Sequence, residues 1–143
     1  MKDKLFIDTN IVVYAFDLAE PTKREVCEKI LEDAFRGEIS GVVSNQVLGE
    51  AFNAAVSKIK MPANKVTTMI KSLIASEKLE KIDYNYSTIN RAISNFEELG
   101  VPFWDLVMAE TMKENGITQI ITENERDFAR IPGIKVTNPF RTQ

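Results

Sequence analysis

The sequence contains no histidine and a single cysteine, Cys27. Without histidine the commonest general base is missing, and zinc sites built from cysteine and histidine are excluded. One cysteine permits no internal disulfide, and with no histidine to activate it Cys27 is a poor nucleophile. It shares a predicted helix face with Ile30, Leu31 and Ala34, which marks it as a core thiol. Long apolar runs are missing too. The longest stretches, such as residues 11–16, fall far short of the roughly 20 residues a bilayer span needs, and Met1-Lys2-Asp3-Lys4 does not open a signal peptide. The expectation is a cytoplasmic protein without a membrane anchor. Charge of either sign is not in large excess: the net charge is -3 and the pI about 5.1, which argues against holding nucleic acid by bulk electrostatics and leaves only local basic patches for that purpose.

What is present suits one globular domain over residues 1–143, with 44% hydrophobic and 27% charged content. Residues 5–7 read as a buried strand, followed by a helix over 10–16 with Thr9 as its cap. A second helix runs from Pro21 to just before Gly37, with Val26, Cys27, Ile30, Leu31, Ala34 and Phe35 inward. A strand over 41–43 leads to a helix capped by Ser44 or Asn45, whose stripe is Val47, Leu48, Ala51, Phe52, Ala55 and Val56. Further helices are expected over 62–74 and 86–99, the latter stopped by Gly100, and from Pro102 to Asn115-Gly116. Strands are expected at 79–82, 119–122 and 134–136. This alternation predicts an α/β fold with a parallel sheet flanked by helices, in which ligands bind at the carboxyl ends of the strands.

Four acids stand at the ends of apolar runs: Asp8, Glu50, Asp105 and Asp127. Converging carboxylates repel one another, and protonation or a hard divalent cation relieves that repulsion. Such an acidic cage points to phosphate chemistry. Each acid also has a plainer reading. Asp8 can cap a helix, Asp105 can stabilise a helix dipole, Glu50 can be a solvated edge residue, and Asp127 can pair with Arg126 or Arg130. Trp104, between Phe103 and Leu106, reads as a core residue rather than a platform for a base.

Taken together, Phe6-Ile7-Asp8-Thr9-Asn10, the glutamate after Ser44-Asn45-Gln46, Phe103-Trp104-Asp105 and Thr122-Glu123-Asn124 with Asp127-Phe128 resemble the PIN-domain ribonucleases, in particular VapC-like toxins of toxin–antitoxin pairs. The resemblance spans the chain. It implies a PIN-like three-layer fold with a central, mostly parallel twisted sheet. It implies one or two Mg²⁺ or Mn²⁺ ions held by Asp8, Glu50 and Asp105, with Asn124 or Asp127 completing the set and Thr9, Asn10 and Thr122 holding acids or waters. It also implies an RNA substrate cleaved to 5′-phosphate and 3′-hydroxyl ends, a cognate antitoxin docked on residues 10–37, and a homodimer. Lys23, Arg24, Arg126 and Arg130 are candidate phosphate contacts by closeness to the acidic segments. Two other readings compete. One is a PIN-like module that binds RNA or protein without cutting. The other is a haloacid-dehalogenase-like phosphohydrolase, whose second aspartate would fall where this chain has Asn10.

Overall fold

The computed structural model describes residues 2–141. Its elements are β1 (Lys4–Ile7), α1 (Thr9–Tyr14), α2 (Pro21–Arg36), β2 (Ser40–Ser44), α3 (Asn45–Ser57), α4 (Ala63–Ala75), β3 (Glu80–Ile82), α5 (Tyr86–Leu99), α6 (Phe103–Glu114), β4 (Gln119–Ile121), α7 (Glu125–Phe128) and β5 (Lys135–Thr137). The strands form a 5-stranded sheet in the order β3-β2-β1-β4-β5, with every neighbouring pair parallel. Parallel neighbours need long crossovers, which here are helical and flank the sheet. The middles of the central strands are accordingly apolar: Phe6 and Ile7 of β1, Val42 and Val43 of β2 and Ile120 of β4 are all buried. The chain proceeds outward from β1 to β3 and then returns to β4 on the other side of β1. The strand order thus reverses between β1 and β4, and their carboxyl ends flank a crevice.

Two glycines make this arrangement possible. A Cβ on Gly41 would meet the Ala34 Cβ at 2.8 Å, so only glycine in β2 lets α2 approach so closely. Gly100, at φ 60°, ends α5 in the left-handed region, and Pro102 then starts α6 afresh. Asp105 consequently lies in a first turn rather than in the middle of one long helix.

Several expectations need correction. The cap of α1 is Asp8, whose Oδ1 accepts from the Thr9 N–H at 2.7 Å, and Thr9 is already helical. The last strand begins one residue later than expected, and the short helix α7 was not predicted. Phe35 and Phe52 lie at the edges of their stripes, each 38% exposed, while Cys27, Leu31 and Ala34 are buried as expected. Burial pushes the Cys27 thiol up to about 12, which leaves little thiolate at neutral pH. Trp104 is not in the core: it is 48% exposed, because Leu106 and Val107 take the inward positions of α6.

Candidate metal centre

Asp8 owes its neighbours to the sheet ladder. Its backbone N–H donates to Ile121 O at 3.1 Å, extending the β1–β4 pairing and bringing Thr122 alongside. Thr122 Oγ1 donates to Asp8 Oδ2 at 2.6 Å, and Asn10 Nδ2 donates to the same oxygen at 3.1 Å. With the Thr9 N–H, three donors converge on a carboxylate that is only 5% exposed. Burial nevertheless pushes Asp8 from 3.8 up to about 6, with the Glu50 charge adding to the rise and the hydrogen bonds opposing it. Its oxygens are engaged and shielded, which is unsuited to the free aspartate nucleophile that a haloacid-dehalogenase-like mechanism needs.

Glu50 reaches the same crevice from α3, whose start is held by Ser44 Oγ accepting from the Val47 N–H at 3.2 Å. Thr9 Oγ1 donates to Glu50 Oε1 at 2.7 Å, and Gln46 Nε2 donates to Oε2 at 3.3 Å. Gln46 also donates to the Trp104 carbonyl at 3.0 Å, tying α3 to the start of α6. Asp105 accepts from Asn124 Nδ2 at 3.0 Å. Burial, then the charges of Asp8, Asp127 and Glu50, raise Asp105 from 3.8 to about 7, only partly opposed by the Asn124 amide.

Asp8, Glu50, Asp105 and Asn124 line one cleft of about 370 Å³, together with Thr9, Asn10 and Lys58. Asp127 is not on that lining, although its charge acts on Asp105. Among the described residues it pairs with neither Arg126 nor Arg130, and Arg130 instead donates to the Leu99 and Gly100 carbonyls. The expected phosphate contacts are mostly engaged elsewhere. Lys23 is paired with Glu123 and lies over the Tyr14 and Phe140 rings, at 4.8 and 5.2 Å from their centres. Arg24 pairs with Glu28, and Arg126 is exposed.

Sequence reasoning missed three participants. Gln46 stands one helical turn before Glu50, a spacing that already permits the observed hydrogen bond. Lys58 follows Glu50 by about two turns of α3, and it is the cation the cleft presents to an anionic ligand. Glu123 accepts from Tyr14 Oη at 2.6 Å, and its N–H donates to Asn10 Oδ1 at 3.3 Å. Tyr14 and Glu123 are 109 residues apart, so no local pattern signals their contact.

The donor set consists of oxygen atoms alone, which suits a hard cation such as Mg²⁺ or Mn²⁺ and not a soft one. The raised acids show a cluster short of positive charge. Among the described residues no three acids lie close enough to enclose a cation as they stand. Mg²⁺ retains several waters and takes only one or two carboxylates directly, so an open arrangement of this kind fits it.

A family model described as PIN domain matches residues 5–134. No curated protein matches the sequence. Among solved structures, VapBC2 from Rickettsia felis bound to a promoter DNA fragment superposes with a TM-score of 0.68 at 21% identity, covering 94% of this chain and 98% of the other. DNA-bound VapBC from Salmonella typhimurium gives 0.67 at 20% identity, covering 96% and 98%. VapC20 from Mycobacterium tuberculosis, a toxin that cleaves the sarcin–ricin loop, gives 0.62 at 14% identity, covering 81% and 86%. At these identities the likeness concerns the fold.

Proposed function

The chain belongs to the PIN-domain family, and from that premise we propose that it is a metal-dependent endoribonuclease, a single-domain cytoplasmic protein acting as the toxin of a toxin–antitoxin pair. The observation that carries the reading is the cleft at the β1–β4 switch point, where Asp8, Glu50, Asp105 and Asn124 converge and two of the acids are raised toward neutrality. Cleavage of the sarcin–ricin loop by VapC20 supports RNA as the substrate, and the VapBC complexes support an antitoxin partner.

Asp8, Glu50 and Asp105 would hold the Mg²⁺ or Mn²⁺, one or two of them directly and the rest through its waters, with Asn124 Oδ1 or Asp127 as the fourth group. When bound, the ion neutralises phosphate charge and makes water nucleophilic at neutral pH, so no histidine is required. The chain's own groups orient these acids. Thr122 and Asn10 fix Asp8, Thr9 and Gln46 fix Glu50, and Asn124 Nδ2 fixes Asp105. Lys58 stands where it can take a phosphate oxygen.

The two candidates for the fourth group differ in charge. Asp127→Asn is expected to raise the Mg²⁺ concentration for half-maximal cleavage more than Asn124→Ala does, because a hard cation responds more to a lost charge than to a lost neutral carbonyl. Titration of both variants checks this, and a larger rise for Asn124→Ala reverses the assignment.

An antitoxin would dock on residues 10–37, where Leu18 is 75% exposed and Phe35 38%. A guanidinium from such a partner would compete with metal for the acids through charge-assisted hydrogen bonds. We take the toxin itself to be a homodimer. Expression of the chain alone should arrest growth, and co-expression with the product of the adjacent upstream gene should restore it. The purified chain should cleave RNA with Mg²⁺ or Mn²⁺ and stop with EDTA. A chain that is harmless, cuts no RNA with either ion and binds no neighbouring gene product would be a PIN-like binding module instead.

A further inference from the structure

The exposed tryptophan beside the acids has a setting of its own. Trp104 is the single tryptophan, and its indole is held by two edge-to-face contacts, with Tyr84 at 6.1 Å and 70° and with Phe103 at 5.3 Å and 75°. The ring is fixed while nearly half of its surface stays open. It forms one wall of a second cleft, of about 320 Å³, lined by Asn45, Gln46, Gly49, Glu50, Tyr84 and Trp104. Glu50 lines both this cleft and the acidic one, so the two adjoin at that residue.

Two independent features point to an occupant. The first is Gln46, which is 7% exposed and whose Oε1 is buried without a hydrogen-bond partner among the described residues. The amide orientation is secure, since Nε2 donates to Glu50 and to the Trp104 carbonyl, both acceptors. A residue on the cleft wall therefore carries an acceptor that lacks a donor. The second is Gly49, inside α3, where glycine is disfavoured relative to alanine. A Cβ there would meet nothing within 4 Å, so no packing contact demands glycine, and the cleft wall carries no side chain at this position. Among the described residues no lysine or arginine lines this cleft while Glu50 does, which repels a phosphate and suits a neutral planar ring carrying N–H donors.

The geometry points to a nucleobase subsite: a base of single-stranded RNA stacks on Trp104 next to the acidic cleft and presents an N–H toward Gln46, positioning the flanking phosphate at the acids. This rests on the ribonuclease reading above. Bases in a duplex are stacked on one another and closed to such a platform, so the substrate is single-stranded at this nucleotide. The site would select for an unpaired base without requiring one sequence, because every base has a stacking face.

Trp104 is its own reporter. In a non-cleaving Asp8→Asn background, a random-sequence single-stranded RNA pool should quench its fluorescence saturably, whereas the same pool annealed to its complement, or an abasic ribose-phosphate oligomer, should not. With otherwise unaltered protein, Trp104→Ala should raise KM for single-stranded RNA by roughly 5- to 150-fold, the range that base–aromatic stacking commands, with a smaller change in kcat and partial rescue by Trp104→Phe. Gly49→Leu should raise KM while leaving the melting temperature unchanged or higher, which loss of a structural glycine would not do. Retained RNA cleavage with unaltered KM in both Trp104→Ala and Gly49→Leu, or equal quenching by the abasic oligomer, overturns the subsite and leaves the ribonuclease reading intact. Absence of any RNA binding or cleavage by the unsubstituted chain overturns both.

Discussion

Asp105→Asn and Asp8→Asn are each expected to lower RNA cleavage by more than about a hundredfold, since removing a group that merely orients a metal ligand already costs roughly 10–100-fold. Each change removes a negative charge at nearly constant volume. Asparagine at 105 can still accept from Asn124 Nδ2, so its local hydrogen bond survives. At 8 the cost is greater, because one of the three donors now meeting the carboxylate would face an amide N–H₂. That loss, of order 1 kcal/mol, opposes the relief of burying a repelled charge. The metal-free variants should therefore melt at the unsubstituted temperature or slightly above it, while losing the Mg²⁺-dependent rise in melting temperature that binding to the native state alone produces. Melting curves with and without Mg²⁺, run beside cleavage assays, separate lost chemistry from lost folding. EDTA-sensitive cleavage that persists in Asp8→Asn would falsify the role assigned to that acid.

Raising the pH from about 5 to 8 is expected to destabilise the metal-free protein and to have much less effect when Mg²⁺ is present. The sign follows from linkage. Asp8 and Asp105 titrate near 6 and 7 in the folded chain and near 3.8 when unfolded, so between those values the folded state binds more protons. Stability contributed by the protonated forms is complete below the unfolded value and is lost as pH rises through the folded ones. For Asp8, buried and shifted by two units or so, the whole loss is at most about 3 kcal/mol, of which roughly half falls above pH 5. In a chain of this size that is several degrees of melting temperature. The two acids act on each other, so the fall should appear as one broad transition rather than two assignable steps. Asp105→Asn should flatten the profile, since it removes one titrating group and the charge that opposes ionisation of its neighbours. A metal-free melting temperature that rises steadily from pH 5 to 8 would contradict the raised acids.

Most of the secondary structure was legible because its signals are local. Pro21 and Gly37 bracket α2, Gly100 and Pro102 separate α5 from α6, and the short apolar runs at β1, β2 and β4 read as buried strands. The errors were also local competitions. At the start of α1, Asp8 and Thr9 are both good caps, and the aspartate won because the sheet ladder holds it at the strand end while the Thr9 hydroxyl goes to Glu50. At Trp104, hydrophobicity suggested burial, but the helix phase set by Leu106 and Val107 leaves the indole outside.

By itself the sequence narrowed which chemistry was open to this protein. Without histidine and with one cysteine, carboxylates and amides are the ligands on offer, and the places of Asp8, Glu50 and Asp105 along the chain support the hard cation proposed above. Only the tertiary structure decided how those groups are held and what surrounds them. It placed β4 beside β1, so that Thr122 reaches Asp8 across 114 residues and Asn124 reaches Asp105. It engaged Lys23 with Glu123 and left Lys58 at the cleft. The reason is that periodicity and capping report energies between near neighbours, whereas the partners of a buried acid depend on strand order and helix packing, which are set by the whole core at once.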